Sequence, residues 1–315
     1  MSETIARKPR DPLVPPGGIE CHASDLTATI SAQMPLQTAQ DRLAEFDQWI
    51  PIDGDPNQPI GKLVAENSSG PLRLGYGAWR DLLLGCQFTS GNGELITAGG
   101  RTMKNVAGYD LAKFMVGQRG IFGTLVSITT RTYKRPALAL LAEFPESDQL
   151  LGQIIATPLR PRWAMLTSRS LFFGWLDDAP AINLFARSVA ALEPKKVTRR
   201  TLAEDISHRQ SHWTMPSDYF RASVPPSKIL AFSQQAGVGD WSADAAFGIV
   251  VGPTANLNHQ TILEAARAVD GTAVLHIDGQ PPRWQPSPTE LLLLQSLKNS
   301  LDPDDRLLPL TPRAN

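Results

Sequence analysis

The sequence is poor in the residues that make several functional classes easy to recognise. Two of its 315 residues are cysteine. Cys21 and Cys86 lie far apart with no CxxC pair, so neither a thiolate zinc site nor a disulfide framework is indicated. Free thiols in a reducing compartment are the expectation. Charge is also scarce, at 19% of residues against about 25% in an average domain. With 30 basic and 31 acidic residues the net charge is -1, which gives no electrostatic case for nucleic-acid or membrane-surface binding. Apolar runs are short, residues 291–294 for example, far below the ~20 that a membrane span needs. The first 18 residues are polar and Pro-rich, with no apolar signal core. The expected location is cytoplasmic, with any membrane contact made through a partner.

What the chain has in quantity is turn chemistry, with 24 glycines and 26 prolines. It divides by texture. Residues 1–16 read as a disordered leader, 17–136 as a Gly-rich domain of short strands, 137–286 as an α/β domain, and 287–315 as a closing helix and tail. Apolar residues at 36, 39, 43 and 46 predict a helix. Gly91-Asn92-Gly93 between two β-prone runs predicts a hairpin. Asp110 is placed to cap a helix over 109–116. Beyond residue 137, strands are predicted over 138–144, 171–176, 219–224, 245–251 and 272–277. Helices are predicted over 147–156, 180–192, 227–235, 257–269 and 291–301. Two βαβ-like halves on one sheet suit a ferredoxin-like domain. The expected class is α+β.

Several motifs fail on inspection. Gly75-Tyr76-Gly77 lacks the third glycine of a dinucleotide fingerprint, because Arg80 stands there. Gly61-Lys62 is no P-loop, because the spacing from Gly54 is too long and Leu63 replaces the magnesium-binding hydroxyl. His208 and His212 are four apart but lack the Glu of a metalloprotease helix, and they read as a solvated polar turn. His22, His259 and His276 read as structural, and Trp79 and Trp163 as core. No nucleophile elbow is present, and no catalytic residue is assigned.

The informative stretch is 59–136. It contains Gly61-Lys62-Leu63-Val64-Ala65, then Ser68-Ser69-Gly70, then Lys104-Asn105-Val106-Ala107-Gly108-Tyr109-Asp110, then Gly120-Ile121-Phe122-Gly123-Thr124-Leu125. Small residues let a backbone approach a ligand, and successive free N–H groups make an anion-binding nest. A flat ring system could lie over 120–123, whose glycines supply no side chain to block it. A phosphate-bearing aromatic cofactor is one reading, and simple β-turns in a β-rich domain are the other. On the chemistry alone both stand.

These residues resemble the second half of the PCMH-type (vanillyl-alcohol-oxidase-like) FAD-binding domain, most of all in proteins like the E subunit of glycolate oxidase. The segments Gln48-Trp49-Ile50-Pro51-Ile52-Asp53, Asn67-Ser68-Ser69-Gly70-Pro71 and Lys104 to Asp110 carry the resemblance. It implies a partial FAD-binding domain (17–136) and a ferredoxin-like cap (137–286). It implies that Gly61, Lys62, Leu63, Val64 and Ala65, as a loop, lie along the pyrophosphate and ribityl part of FAD with Ser68, Ser69 and Gly70. Gly120, Ile121, Phe122, Gly123 and Leu125 would pass close to the flavin or its ribityl chain. It further implies a larger FAD-containing oxidase subunit and an iron–sulfur subunit as partners, together oxidising glycolate to glyoxylate.

Two departures bear on the cofactor. The first βαβ lobe of complete members, with its Gly-rich phosphate loop, is expected to be missing, since Pro15-Pro16-Gly17-Gly18 is too short to replace it. Lys62 replaces the second glycine of a Gly-Gly pair, and Gln33 a glycine after Ala32. Several lost phosphate hydrogen bonds of ~1.5–3 kcal/mol each would weaken FAD by orders of magnitude. FAD bound, bound weakly, or lost from a cofactor-free assembly subunit are the readings that stay open, beside that of a fragment whose start lies upstream.

Overall fold

The structure, a computed structural model, describes residues 13–100, 110–147, 150–155, 157–214, 216–255, 257–277 and 288–310. The Lys104 to Tyr109 motif and most of the expected leader lie outside the described residues.

The first half of the chain builds a five-stranded antiparallel sheet. Its elements run β1 (Ile19–His22), β2 (Thr27–Ser31), α1 (Leu36–Ala44), β3 (Gln48–Trp49), α2 (Ile60–Ala65), α3 (Arg73–Tyr76), α4 (Trp79–Leu82), β4 (Leu83–Thr89), β5 (Leu95–Gly99), α5 (Leu111–Phe114), β6 (Thr124–Arg131) and β7 (Tyr133–Lys134). The strand order is β1-β2-β6-β4-β5, and β3 pairs with β7 apart from it. Strand side chains alternate between faces. Ala28, Ile30, Phe88 and Ile128 join Leu36, Leu43, Leu63 and Val64 of the helices in one core, where each fully buried Leu or Ile contributes about 1.5–3 kcal/mol. The other face is polar yet buried, with Thr29 and Thr129 sharing a 3.0 Å hydrogen bond and the Ser127 hydroxyl donating to Gln87. The Leu13 N–H also donates to Gln87 Oε1 at 2.7 Å, and Val14 is buried. The end of the expected disordered leader is therefore placed on the sheet. The hairpin around Asn92 and the Asp110 cap, which accepts the Lys113 N–H at 3.0 Å, form as read from the sequence.

The second sheet has eight strands. Its elements are β8 (Leu138–Phe144), α6 (Leu150–Ile155), β9 (Trp163–Thr167), β10 (Leu171–Asp177), α7 (Ala179–Ala190), β11 (Lys196–Thr201), α8 (Leu202–Trp213), β12 (Tyr219–Ser223), α9 (Ile229–Gln235), β13 (Ser242–Asp244), β14 (Ile249–Pro253), α10 (His259–Ala268) and β15 (Thr272–His276). The order β11-β8-β10-β9-β13-β14-β12-β15 is two βαββαβ units, each ferredoxin-like, joined edge to edge where β9 pairs antiparallel with β13. The sequence reading placed one strand over 245–251, which leaves out β13 and takes in the turn before β14. The two strands are a hairpin instead, turned at Gly248 with φ +66°. Leu140, Phe144, Phe173, Phe220, Ala222, Phe232, Ile262 and Leu275 form the core on the α6, α7, α9 and α10 side. On the other side α8 covers the first unit, packing Leu202 and Ile206 with Leu141, Trp163, Phe172 and Leu176.

The last described helix, α11 (Pro288–Leu301), returns to the first sheet. Leu294, Leu301 and Leu310 pack on Ile121 and Phe122. Asp302 fixes this return: it accepts Lys298 Nζ at 2.7 Å and the N–H groups of Arg306 and Leu307 at 2.8 and 2.9 Å. It sits against Gly91, whose N–H donates to Leu301 O at 2.8 Å. Removing one partner from such a buried pair strands the other charge. Asp302→Ala is expected to release the C-terminal segment. Limited proteolysis checks it, and cleavage after residue 288 at the wild-type rate would show that the leucine contacts suffice.

Candidate functional site

A cleft of about 500 Å³ lies between α2 with its following turn and the uncovered face of the second ferredoxin-like unit. That volume falls within the range of small-molecule sites. On the α2 wall, Ile60, Leu63 and Val64 point inward at helical spacing. Pro59 precedes the helix, a position where its missing N–H costs nothing. Lys62 and Glu66 stay on the outer face, 3.8 Å apart. Lys62, Leu63, Ser68 and Ser69 all line the cleft.

The opposite wall comes from β12, β14 and β15. Phe220, Ala222, Val250 and Leu275 face the core, so the alternation turns Tyr219, Arg221, Val251 and His276 to the cleft. Tyr219 pairs with His276 across the ladder, and their rings stack at 4.2 Å. Burial, with Arg119 and Arg221 nearby, pushes His276 down to about 4, so it is neutral at pH 7. Burial also raises Tyr219. Arg221 makes no hydrogen bond or ion pair among the described residues. Burial lowers its guanidinium from the usual range, and Asp244, Arg73 and Arg119 lie close enough to act on it electrostatically. Buried Asp244 is itself pushed up to about 7. The cleft thus holds a guanidinium with open donors beside a neutral stacked imidazole.

The residues expected from the sequence do not gather at one place. Gly61, Lys62, Leu63, Val64 and Ala65 form helix α2 rather than a loop, and the Gly61 N–H already donates to Ala32 O at 2.8 Å. A Cβ on Gly61 would stand 2.6 Å from Ala32 Cβ, so this glycine serves helix–strand packing. Gly70 lies behind Ser69, wedged between Asp53 and Trp213. Gly120, with φ +82°, packs against Leu308, and a Cβ on Gly123 would meet Phe88 at 2.6 Å. Ile121 and Phe122 lie under the C-terminal segment, and Leu125 is in the first core. The expected convergence of glycines 61, 70, 120 and 123 on one crevice is not found.

His208 and His212 also differ from expectation. They sit on helix α8, half-buried with rings 5.0 Å apart against Phe172, not in a solvated turn. Among the described residues no cluster of His, Cys, Asp and Glu could hold a metal ion. No helix there is long and apolar enough to cross a membrane.

The architecture matches a solved structure of alkyldihydroxyacetonephosphate synthase at TM-score 0.66 over 93% of this chain, with 13% identity. In sequence, the chain is 33% identical over 154 residues to glycolate oxidase subunit GlcE of Escherichia coli, covering 45% of this chain and 44% of that protein. It is 29% identical over 138 residues to the mitochondrial D-lactate dehydrogenase [cytochrome] of Arabidopsis thaliana, covering 43% and 24%. Over the matched residues, less than half of the chain, it is similar to proteins of the glycolate oxidase and D-lactate dehydrogenase kind. Its α+β fold is that of the synthase. No family model matches it. The chain spans less than half the length of the curated relatives named above and 65% of the synthase chain.

Lys62, Ser68, Ser69 and Arg221 bring cations and hydroxyls to the cleft, a donor set that suits an anionic group such as the pyrophosphate of FAD, but the carboxylates of Asp55 and Glu66 line it too, Glu66 3.8 Å from Lys62. The stretch 120–125 does not fit, because the chain's own Leu308 and Phe88 fill the space above its glycines.

Proposed function

We propose that this chain is a subunit of an FAD-linked 2-hydroxy-acid oxidoreductase complex, of the kind that converts glycolate to glyoxylate, and that the cleft is its ligand site. The observation that carries the reading is Arg221: a half-buried guanidinium, without a partner among the described residues, facing Lys62 and Ser69 across the cleft. A planar fork of donors suits a carboxylate. The imidazole of His276, kept neutral and held flat by Tyr219, is the group able to accept a hydrogen bond from the 2-hydroxyl. Lys62, Ser68 and Ser69 would hold FAD on the α2 side, and the bound cofactor supplies the two-electron acceptor. In this reading residues 17–136 are the cofactor domain and 137–286 the cap, and the partners are a larger FAD-containing subunit and an iron–sulfur subunit.

The filled space above Gly120 and Gly123 favours a second reading, a cofactor-free assembly subunit of the same complex. Equilibrium dialysis of the purified chain with FAD, glycolate and D-lactate separates the two. Retained flavin supports the first. A colourless chain that still assembles with a flavoprotein partner supports the second. Arg221→Met is expected to weaken hydroxy-acid binding tenfold or more while leaving the melting temperature within a few degrees. Unchanged affinity in that variant would remove the cleft from the reading.

A further inference from the structure

A buried polar chain crosses from the second sheet to the first beneath the cleft. Asp205, Arg209 and Trp213 recur every fourth residue on α8, so they share one face of the helix. Arg209 is 2% exposed. Its Nε donates to Asp205 Oδ2 at 3.0 Å, and its Nη1 pairs with Asp53 of the first half of the chain. Asp205 also accepts the Trp163 indole N–H, at 3.1 Å, from strand β9. Asp53 reaches onward, its Oδ2 accepting the Leu72 N–H at 2.7 Å. One helical turn along, the Trp213 indole donates to Ser69 O at 3.2 Å. Gly70 sits between the two anchors: a Cβ there would stand 2.7 Å from Asp53 Cβ and 2.8 Å from Trp213 Nε1.

We infer that Arg209 is a positioning residue: through Asp53 it clamps the turn 69–72 to α8 and so fixes the Ser69 edge of the cleft against the second sheet. The chemistry requires arginine. One guanidinium meets two buried carboxylates on different elements, using donors at fixed angles, and a lysine ammonium cannot reproduce that fork. The relay has a direction that a general packing role lacks. Asp53 links Arg209 to the turn, whereas Asp205 links it to β9.

Hydrogen exchange on the full chain tests the relay through variants of nearly equal size. Asp53→Asn and Arg209→Lys are each expected to speed exchange of the Leu72 amide, which Asp53 holds, tenfold or more, with β4, β6 and β10 unchanged. Asp205→Asn is expected to leave Leu72 at the wild-type rate. A folded Arg209→Lys protein with wild-type protection at Leu72 would overturn the inference. So would an Asp205→Asn protein as loose at Leu72 as Asp53→Asn. If Arg209→Lys does not fold, the contrast between the two aspartate variants decides. The inference rests on the proposed function only in naming the cleft as the ligand site. Loss of turn protection in a chain whose wild type binds neither FAD nor glycolate would sink that function and leave the clamp standing.

Discussion

Replacing Gly174 by alanine is expected to cost the fold at least about 3 kcal/mol, at the top of the usual range for overpacking. Gly174 in β10 faces Trp163 directly across the ladder. A Cβ there would overlap the indole at Nε1 and Cε2, with Cζ2 2.6 Å away. Overpacking is cheap where a side chain can swing aside, but Trp163 cannot. Its ring is fully buried, and its N–H is tied to Asp205, which is tied to Arg209. The strain therefore has to be taken up by the strands or by the polar chain beneath the cleft. Denaturant titration of Gly174→Ala measures the loss. Adding Trp163→Leu is expected to restore part of it, by making room for the new methyl at the expense of one indole hydrogen bond. A Gly174→Ala midpoint equal to wild type would mean that the ring does have a second position.

The second large effect concerns pH. Burial raises Asp205 to about 7, from an ordinary 3.8, against the pull of the Trp163 hydrogen bond. One guanidinium shared by two buried carboxylates leaves the second of them costly to ionise. Between about pH 4 and 7 the folded chain then holds a proton that the unfolded chain has released. Rising pH therefore favours unfolding, and the dependence levels out above 7. Relative to Asp205→Asn, wild type is expected to lose stability across this window with a slope of up to about 1.4 kcal/mol per pH unit. His208 and His276, both lowered to about 4 by burial, act in the opposite sense between about 4 and 6.5. They are present in both proteins and cancel in the difference. Unfolding free energies of the pair at several pH values provide the check. A flat difference would mean that Arg209 keeps Asp205 ionised throughout.

The sequence was most legible where local chemistry decides structure. The Asn92 hairpin, the Asp110 cap and helix α1 were readable because turn residues and apolar spacing act over a few positions. Helix α2 carried the same spacing at Ile60, Leu63 and Val64, but the glycine at 61 drew attention to a phosphate loop. Helix α8 was missed for a physical reason. Its buried positions include Asp205 and Arg209, so a search for apolar periodicity passes over it. Strand β11, Lys-Val-Thr-Arg-Arg-Thr, is a largely polar edge and has no hydrophobic signature. The cleft followed the same pattern. Lys62, Leu63, Ser68 and Ser69, which the sequence singled out, line its α2 side. The side carrying Tyr219, Arg221 and His276 depends on which sheet face α8 leaves uncovered, a tertiary fact. The strict alternation in Tyr219-Phe220-Arg221-Ala222-Ser223 was the available clue.

The side-by-side ferredoxin-like units occupy unequal surroundings. Strands β8 and β12 hold equivalent places in their units, yet the outer side of β8 is sealed by α8 while that of β12 meets solvent and whatever enters the cavity. A doubled body with one half tethered gives the other half freedom to vary. Exchanging side chains on β12 and β15 would reshape the cleft wall at little expense to folding, whereas the matching exchanges on β8 and β11 would strike the mounting itself. Variation of the cavity is therefore cheapest on the untethered unit.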